Sequence, residues 1–109
     1  MSEVEVLDSA LEERTLSIED WNKEVNEDCV IVDIREEEQT KFGMIPGARN
    51  LPATNLSDFY SLPPDEQIYL YCQKGEMSSE VLEVLLDAGY DAYQLRGGYL
   101  AYLADLGKE

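Results

Sequence analysis

The sequence predicts an α/β domain built on a parallel sheet with helices covering both faces. Short β-branched or apolar runs alternate with segments of helical periodicity, the order that wraps a parallel sheet in helices. At 109 residues the chain falls below the ~150 expected of one domain, so a single domain is predicted. With 44% hydrophobic residues it carries enough apolar mass for a core without disulfide staples.

Each element follows from local chemistry. Ser17-Ile18-Glu19-Asp20-Trp21 reads as an N-cap and an acidic first turn, opening a short helix to about Val25 with Trp21 on its buried side. Cys29-Val30-Ile31-Val32-Asp33-Ile34 is a β-branched run suited to a strand covered on both faces. Glu36 to Phe42 predicts a short helix, which Gly43 and Ile45-Pro46-Gly47 break. A brief strand over Ala48 to Leu51, a helical turn over Leu56 to Ser61 and a Pro63-Pro64-Asp65 loop follow. Gln67-Ile68-Tyr69-Leu70-Tyr71-Cys72 is the second apolar strand. Ser78 to Ala88 places Val81, Leu82, Leu85 and Ala88 on one helix face, with Gly89 as its C-terminal stop. Ala92 to Leu95 reads as a third clear strand, and Gly97-Gly98 opens a last helix over Tyr99 to Leu106. The tyrosines of the strands, Tyr69, Tyr71 and Tyr93, read as sheet packing.

Charge and composition exclude several functions. The formal net charge of −16 repels phosphate backbones and anionic headgroups, so neither nucleic acid nor a membrane surface is expected as a partner. Residues 1–38 hold 14 acidic and 3 basic side chains. Residues 1–13 are expected to be an acidic N-terminal extension, flexible on the simplest reading, ahead of a domain spanning 14–109. There is no histidine, which removes imidazole acid–base chemistry and His-ligated metal, so neither a metal nor a cofactor is expected. Two cysteines, Cys29 and Cys72, are too few for a disulfide scaffold and fit a reducing compartment. With no signal-like start and no apolar run of the ~18 residues needed to span a bilayer, a cytoplasmic protein is expected.

The chemistry concentrates at Cys72-Gln73-Lys74-Gly75-Glu76-Met77-Ser78, where a strand ends in a cysteine, a Gly-containing loop follows, and Ser78 is placed to cap the next helix. Such a loop can turn its N–H groups inward while the helix aims its positive end at the same point, which favours a thiolate. A free cysteine is also commonly a small buried hydrophobe, and Lys74 reads equally as a surface lysine. Glu76 and Glu80 oppose an anion there. In a parallel sheet Asp33 and Cys72 both stand at carboxyl ends of strands and should line one rim, where ligands gather. Asp33 and Arg35 read first as an ion pair that satisfies the loop. Cys29 begins its strand, at the opposite rim from Cys72, so the two should not form a disulfide.

From about Thr15 to Gly107 the sequence resembles single-domain rhodaneses. Val30-Ile31-Val32-Asp33-Ile34-Arg35-Glu36 resembles the family's strand ending in Asp-x-Arg-Glu, and Gly43-Met44-Ile45-Pro46-Gly47-Ala48 its Gly-His-Ile-Pro-Gly-Ala segment. Cys72 to Ser78 is similar to the active-site loop, and Leu95-Arg96-Gly97-Gly98 to the turn before the last helix. The resemblance implies a three-layer α/β/α domain with a central, mostly parallel five-stranded sheet, and a sulfurtransferase. Cys72 would be the nucleophile and persulfide carrier, Gln73, Lys74, Gly75, Glu76, Met77 and Ser78 the cradle, and Asp33 and Arg35 its supports. The implied partners are a small anionic sulfur donor or a persulfidated protein; separately, the acidic surface leaves open a persulfide carrier that docks a basic acceptor protein.

Three positions depart from the family pattern. Met77 stands where an arginine is frequent, Met44 replaces the histidine of the Gly-His-Ile-Pro segment, and Tyr102 stands for the tryptophan of the last helix. Losing the arginine removes a bidentate anion clamp and argues against assuming thiosulfate as donor. A phosphatase of similar fold would need an arginine at Ser78. A catalytically weak interaction module is the alternative reading.

Overall fold

The computed structural model describes residues 9–108. Five strands, β1 (Thr15–Leu16), β2 (Val30–Asp33), β3 (Arg49–Asn50), β4 (Ile68–Tyr71) and β5 (Ala92–Leu95), form one sheet in the order β1-β5-β4-β2-β3. Every neighbouring pair is parallel, so the expected mostly parallel sheet is parallel throughout. The helices are α1 (Ile18–Glu24), α2 (Glu37–Thr40), α3 (Ser78–Asp87) and α4 (Gly98–Leu106), with a 3-10 segment over Leu56–Ser61.

Period-two alternation in the fully buried strands sends side chains into two cores. On one face Val30, Val32, Ile68 and Leu70 pack with Val81, Leu82 and Leu85 of α3 and with Phe59. On the other, Ile31, Tyr69 and Tyr71 pack with Trp21 of α1 and Tyr99 of α4. Trp21 meets Tyr69 and Tyr71 edge-on, and Tyr69 stacks on Tyr93, so the strand tyrosines pack within the domain as the sequence suggests. This makes the three-layer α/β/α arrangement.

Ser17 caps α1 as expected, its Oγ accepting from the Asp20 amide at 3.2 Å. Two local expectations fail. Ala88 is exposed where helical spacing placed it on the buried face, because α3 ends at Asp87 and the chain turns away at Gly89, φ +90°. Ser78 does not cap α3. The cap is Met77, and Ser78 is the first helical residue, fully buried with its hydroxyl committed to Gln94.

Within the acidic extension, residues 9–13 are helical, Leu11 packs against the core and Glu12 pairs with Arg96. The expectation for residues 1–8 lies outside the described residues. Among the described residues no helix is long and apolar enough to cross a membrane.

Candidate active site

Register brings two strand ends together. Asp33, last in β2, pairs with Tyr71, last in β4, and Cys72 follows directly. The thiol is buried at the floor of a cavity of about 260 Å³ lined by Arg35, Gln39, Gln73, Lys74, Glu76 and Met77. Gly75 turns the loop back with φ +92°, and its amide donates to Cys72 Sγ at 3.0 Å. A side chain there would crowd the Gly97 amide, 3.1 Å from a Cβ. The loop therefore presents an N–H to the sulfur just ahead of α3, the arrangement that stabilises charge on sulfur.

The loop is clamped from behind by α4. The amides of Tyr99 and Leu100 donate to the carbonyls of Cys72 and Gln73 at 2.8 and 3.1 Å. Those carbonyls are turned toward α4 by two of its otherwise orphan N-terminal donors.

Arg35 and Asp33 are a buried pair. The guanidinium donates to both Asp33 oxygens at 2.8–3.1 Å, to Gln73 Oε1 at 3.0 Å and to the Gly43 carbonyl at 2.7 Å. Its plane lies over Tyr99, 4.2 Å from the ring centroid. Burial disfavours the Arg35 charge, but the Asp33 carboxylate outweighs it and holds the pKa above the ordinary arginine value. Asp33 itself does not reach the rim where the sequence reading put it. It is fully buried beneath Arg35 and acts on the cavity through that side chain. Burial and the Asp33 carboxylate push the Tyr71 phenol well up, opposed by the Ile45 amide, which donates to its oxygen.

Of the loop residues named from sequence, Gln73, Lys74, Glu76 and Met77 line the cavity with Cys72, and Gly75 supplies the amide. Ser78 turns away. Its Oγ donates to Gln94 Oε1 at 2.6 Å, while Gln94 Nε2 donates to Thr15 at 2.8 Å and Ser79 at 3.1 Å. Gln94 thus ties the start of α3 to β5 and β1, a role unforeseen from the sequence. Gln39 and Tyr99 were missed as well; their signal was proximity to the Asp-x-Arg-Glu and Gly-Gly segments. Cys29 lies at the opposite end of the sheet, its thiol donating to the Asn26 carbonyl at 2.9 Å, and both cysteines are free.

The rhodanese-like domain family model matches residues 17–105. The chain belongs to the rhodanese-like family. This rhodanese-like chain is 34% identical over 105 residues to a tRNA sulfurtransferase of Desulfurococcus amylolyticus, covering 96% of this chain but only 21% of that protein. It is 34% identical over 80 residues to the thiosulfate sulfurtransferase GlpE of Pseudoalteromonas translucida, covering 72% of this chain and 76% of that one. A crystal structure of a rhodanese-related protein from Thermoplasma volcanium superposes with a TM-score of 0.78 at 22% identity, over 84% of this chain and 92% of that one, which shows the shared fold. Both of these relatives are named sulfurtransferases, and this rhodanese-like chain spans only about a fifth of the length of the first.

Proposed function

We propose that Cys72 accepts a sulfane sulfur as a persulfide and hands it to a thiophilic acceptor. The observation that carries this reading is the Gly75 amide 3.0 Å from Cys72 Sγ, at the floor of an open cavity. With thiosulfate as donor, the Cys72 thiolate attacks the sulfane sulfur, the S–S bond of the donor breaks, and sulfite leaves with the electron pair. The terminal sulfur then carries the negative charge, which loop N–H groups would stabilise, a reading supported by the Gly75 amide already on Cys72 Sγ. In the second half an acceptor such as cyanide attacks that sulfur, and the electron pair of the broken bond returns to Cys72 as thiolate. The cycle consumes no proton and requires no histidine, consistent with a chain that has none.

A persulfidated protein fits as donor as well as thiosulfate does, since Met77 offers no clamp for a dianion and, of the two cations on the cavity wall, Arg35 is already paired with Asp33 and leaves Lys74. Intact-mass spectrometry after incubation with thiosulfate, 3-mercaptopyruvate or a persulfidated protein tests the reading. One added sulfur atom is expected on the parent chain and none on Cys72→Ser. Absence of an adduct with every donor overturns it.

A further inference from the structure

The cavity over Cys72 continues outward. It shares Arg35, Gln39 and Gln73 with a second cavity of about 510 Å³ whose outer walls are Phe42, Tyr99 and Leu103. Phe42 is 93% exposed, an aromatic ring almost without contact in its own chain. Leu103 on α4 is 43% exposed and Met77 at the inner mouth 48%. Apolar side chains thus stand in water along a path that ends at the reactive sulfur, a pattern that marks interaction sites. The outer edge is acidic. Glu38 lines it, and Glu36 and Glu37 are exposed on the same turn of α2.

We propose that this groove docks a basic, extended segment of a partner protein, with an apolar side chain between Phe42 and Leu103 and its cysteine at Cys72. The inference rests on the sulfur-transfer reading and names its acceptor. A small anion neither fills the outer groove nor matches its apolar walls. A second copy brings its own charge of −16 and is repelled, whereas a basic segment is drawn to an acidic edge, chiefly through its on-rate. In the transfer the partner thiolate attacks the terminal sulfur of the Cys72 persulfide. The S–S bond to Cys72 breaks, its electron pair returns to Cys72, and the partner leaves as a persulfide with no outside oxidant or reductant.

The test loads Cys72 with sulfur and follows transfer to synthetic peptides, each with a single cysteine. One peptide carries lysines and a leucine beside it, the second has glutamates for the lysines, and the third has serine for the leucine. Transfer to the first is expected to be about tenfold faster than to the serine peptide, as burial of one apolar side chain predicts, and faster than to the glutamate peptide through its on-rate. Added salt should shrink the advantage over the glutamate peptide. In the double variant Phe42→Ser, Leu103→Ser the lysine-leucine peptide should lose its advantage over the serine peptide while transfer to cyanide is unchanged. Equal rates for the three peptides, or an unimpaired double variant, overturn the groove while cyanide turnover leaves the sulfur-transfer reading standing. Failure of Cys72 to take sulfur from any donor overturns both.

Discussion

Gly98 and Cys72 touch backbone to backbone: a Cβ at Gly98 would overlap the carbonyl oxygen of Cys72 and lie 2.9 Å from the carbonyl of Gln73. That closeness lets the first amides of α4 hold the loop carbonyls. Gly98→Ala is therefore expected to displace the loop and lower the rate of sulfur loading by roughly a hundredfold, the scale of a misplaced reactive group. Backbone strain at φ +61° adds about 1–2 kcal/mol of destabilisation. Gly107→Ala, at φ −76° with its nearest contact at 3.6 Å, is the control and should change neither. Loading kinetics and thermal melting of the two variants check this, and an unimpaired Gly98→Ala would refute it.

The Asp33 carboxylate is fully buried and neutralises a guanidinium that is itself buried. Asp33→Asn leaves the Arg35 charge without its counter-ion, and loss of one partner of such a pair costs about 3–5 kcal/mol. Urea unfolding at neutral pH measures this. A loss below about 1 kcal/mol would show that the pair behaves as a surface ion pair does.

Much of this was legible because local chemistry and tertiary context agree. Ser17 caps because an acidic turn follows it, and Ala92–Leu95 forms β5 between turn residues at both ends. Cys72 stood out by lying between an apolar strand and a Gly-containing loop. What stayed hidden depends on partners distant in sequence. Gln94 is a polar residue in a strand, and nothing near it shows that Thr15, 79 residues away, accepts its hydrogen bond. Ser78 reads as a cap from its neighbours alone, and only the arrival of Gln94 explains why its hydroxyl turns inward. Asp33 looked like a rim residue because strand register places its Cα there, whereas Arg35 folds over it and takes the rim.

Stability should fall at alkaline pH in a way that Tyr69 helps to set. Burial first, and then nearby negative groups, push its phenol from 10.0 up to about 12. The folded chain keeps a proton that the unfolded chain releases, so the contribution is complete below pH 10 and is lost as pH rises toward 12. Tyr69→Phe removes that ionisation along with a 3.2 Å hydrogen bond to Gln67. Urea midpoints of parent and variant across this range should converge as pH rises. A constant difference would show that Tyr69 does not titrate in this window.

On the proposed reading an anionic donor would meet Met77 and Lys74, two exposed side chains of the cavity wall. Met77 is half-exposed at the mouth, so an arginine fits there without disturbing the core. Its planar fork would give a dianion two charge-assisted hydrogen bonds. Met77→Arg should raise kcat/KM for thiosulfate about tenfold, within the range of one such bond. Lys74→Ala should lower it, by less, because an exposed ammonium is hydrated and screened. With a persulfide donor, which lacks the sulfonate group of thiosulfate, both changes should matter less, which separates recognition of the dianion from the chemistry at Cys72. Equal thiosulfate kinetics in parent and both variants would mean that backbone amides alone bind the donor, and the departure at Met77 would then carry no functional meaning.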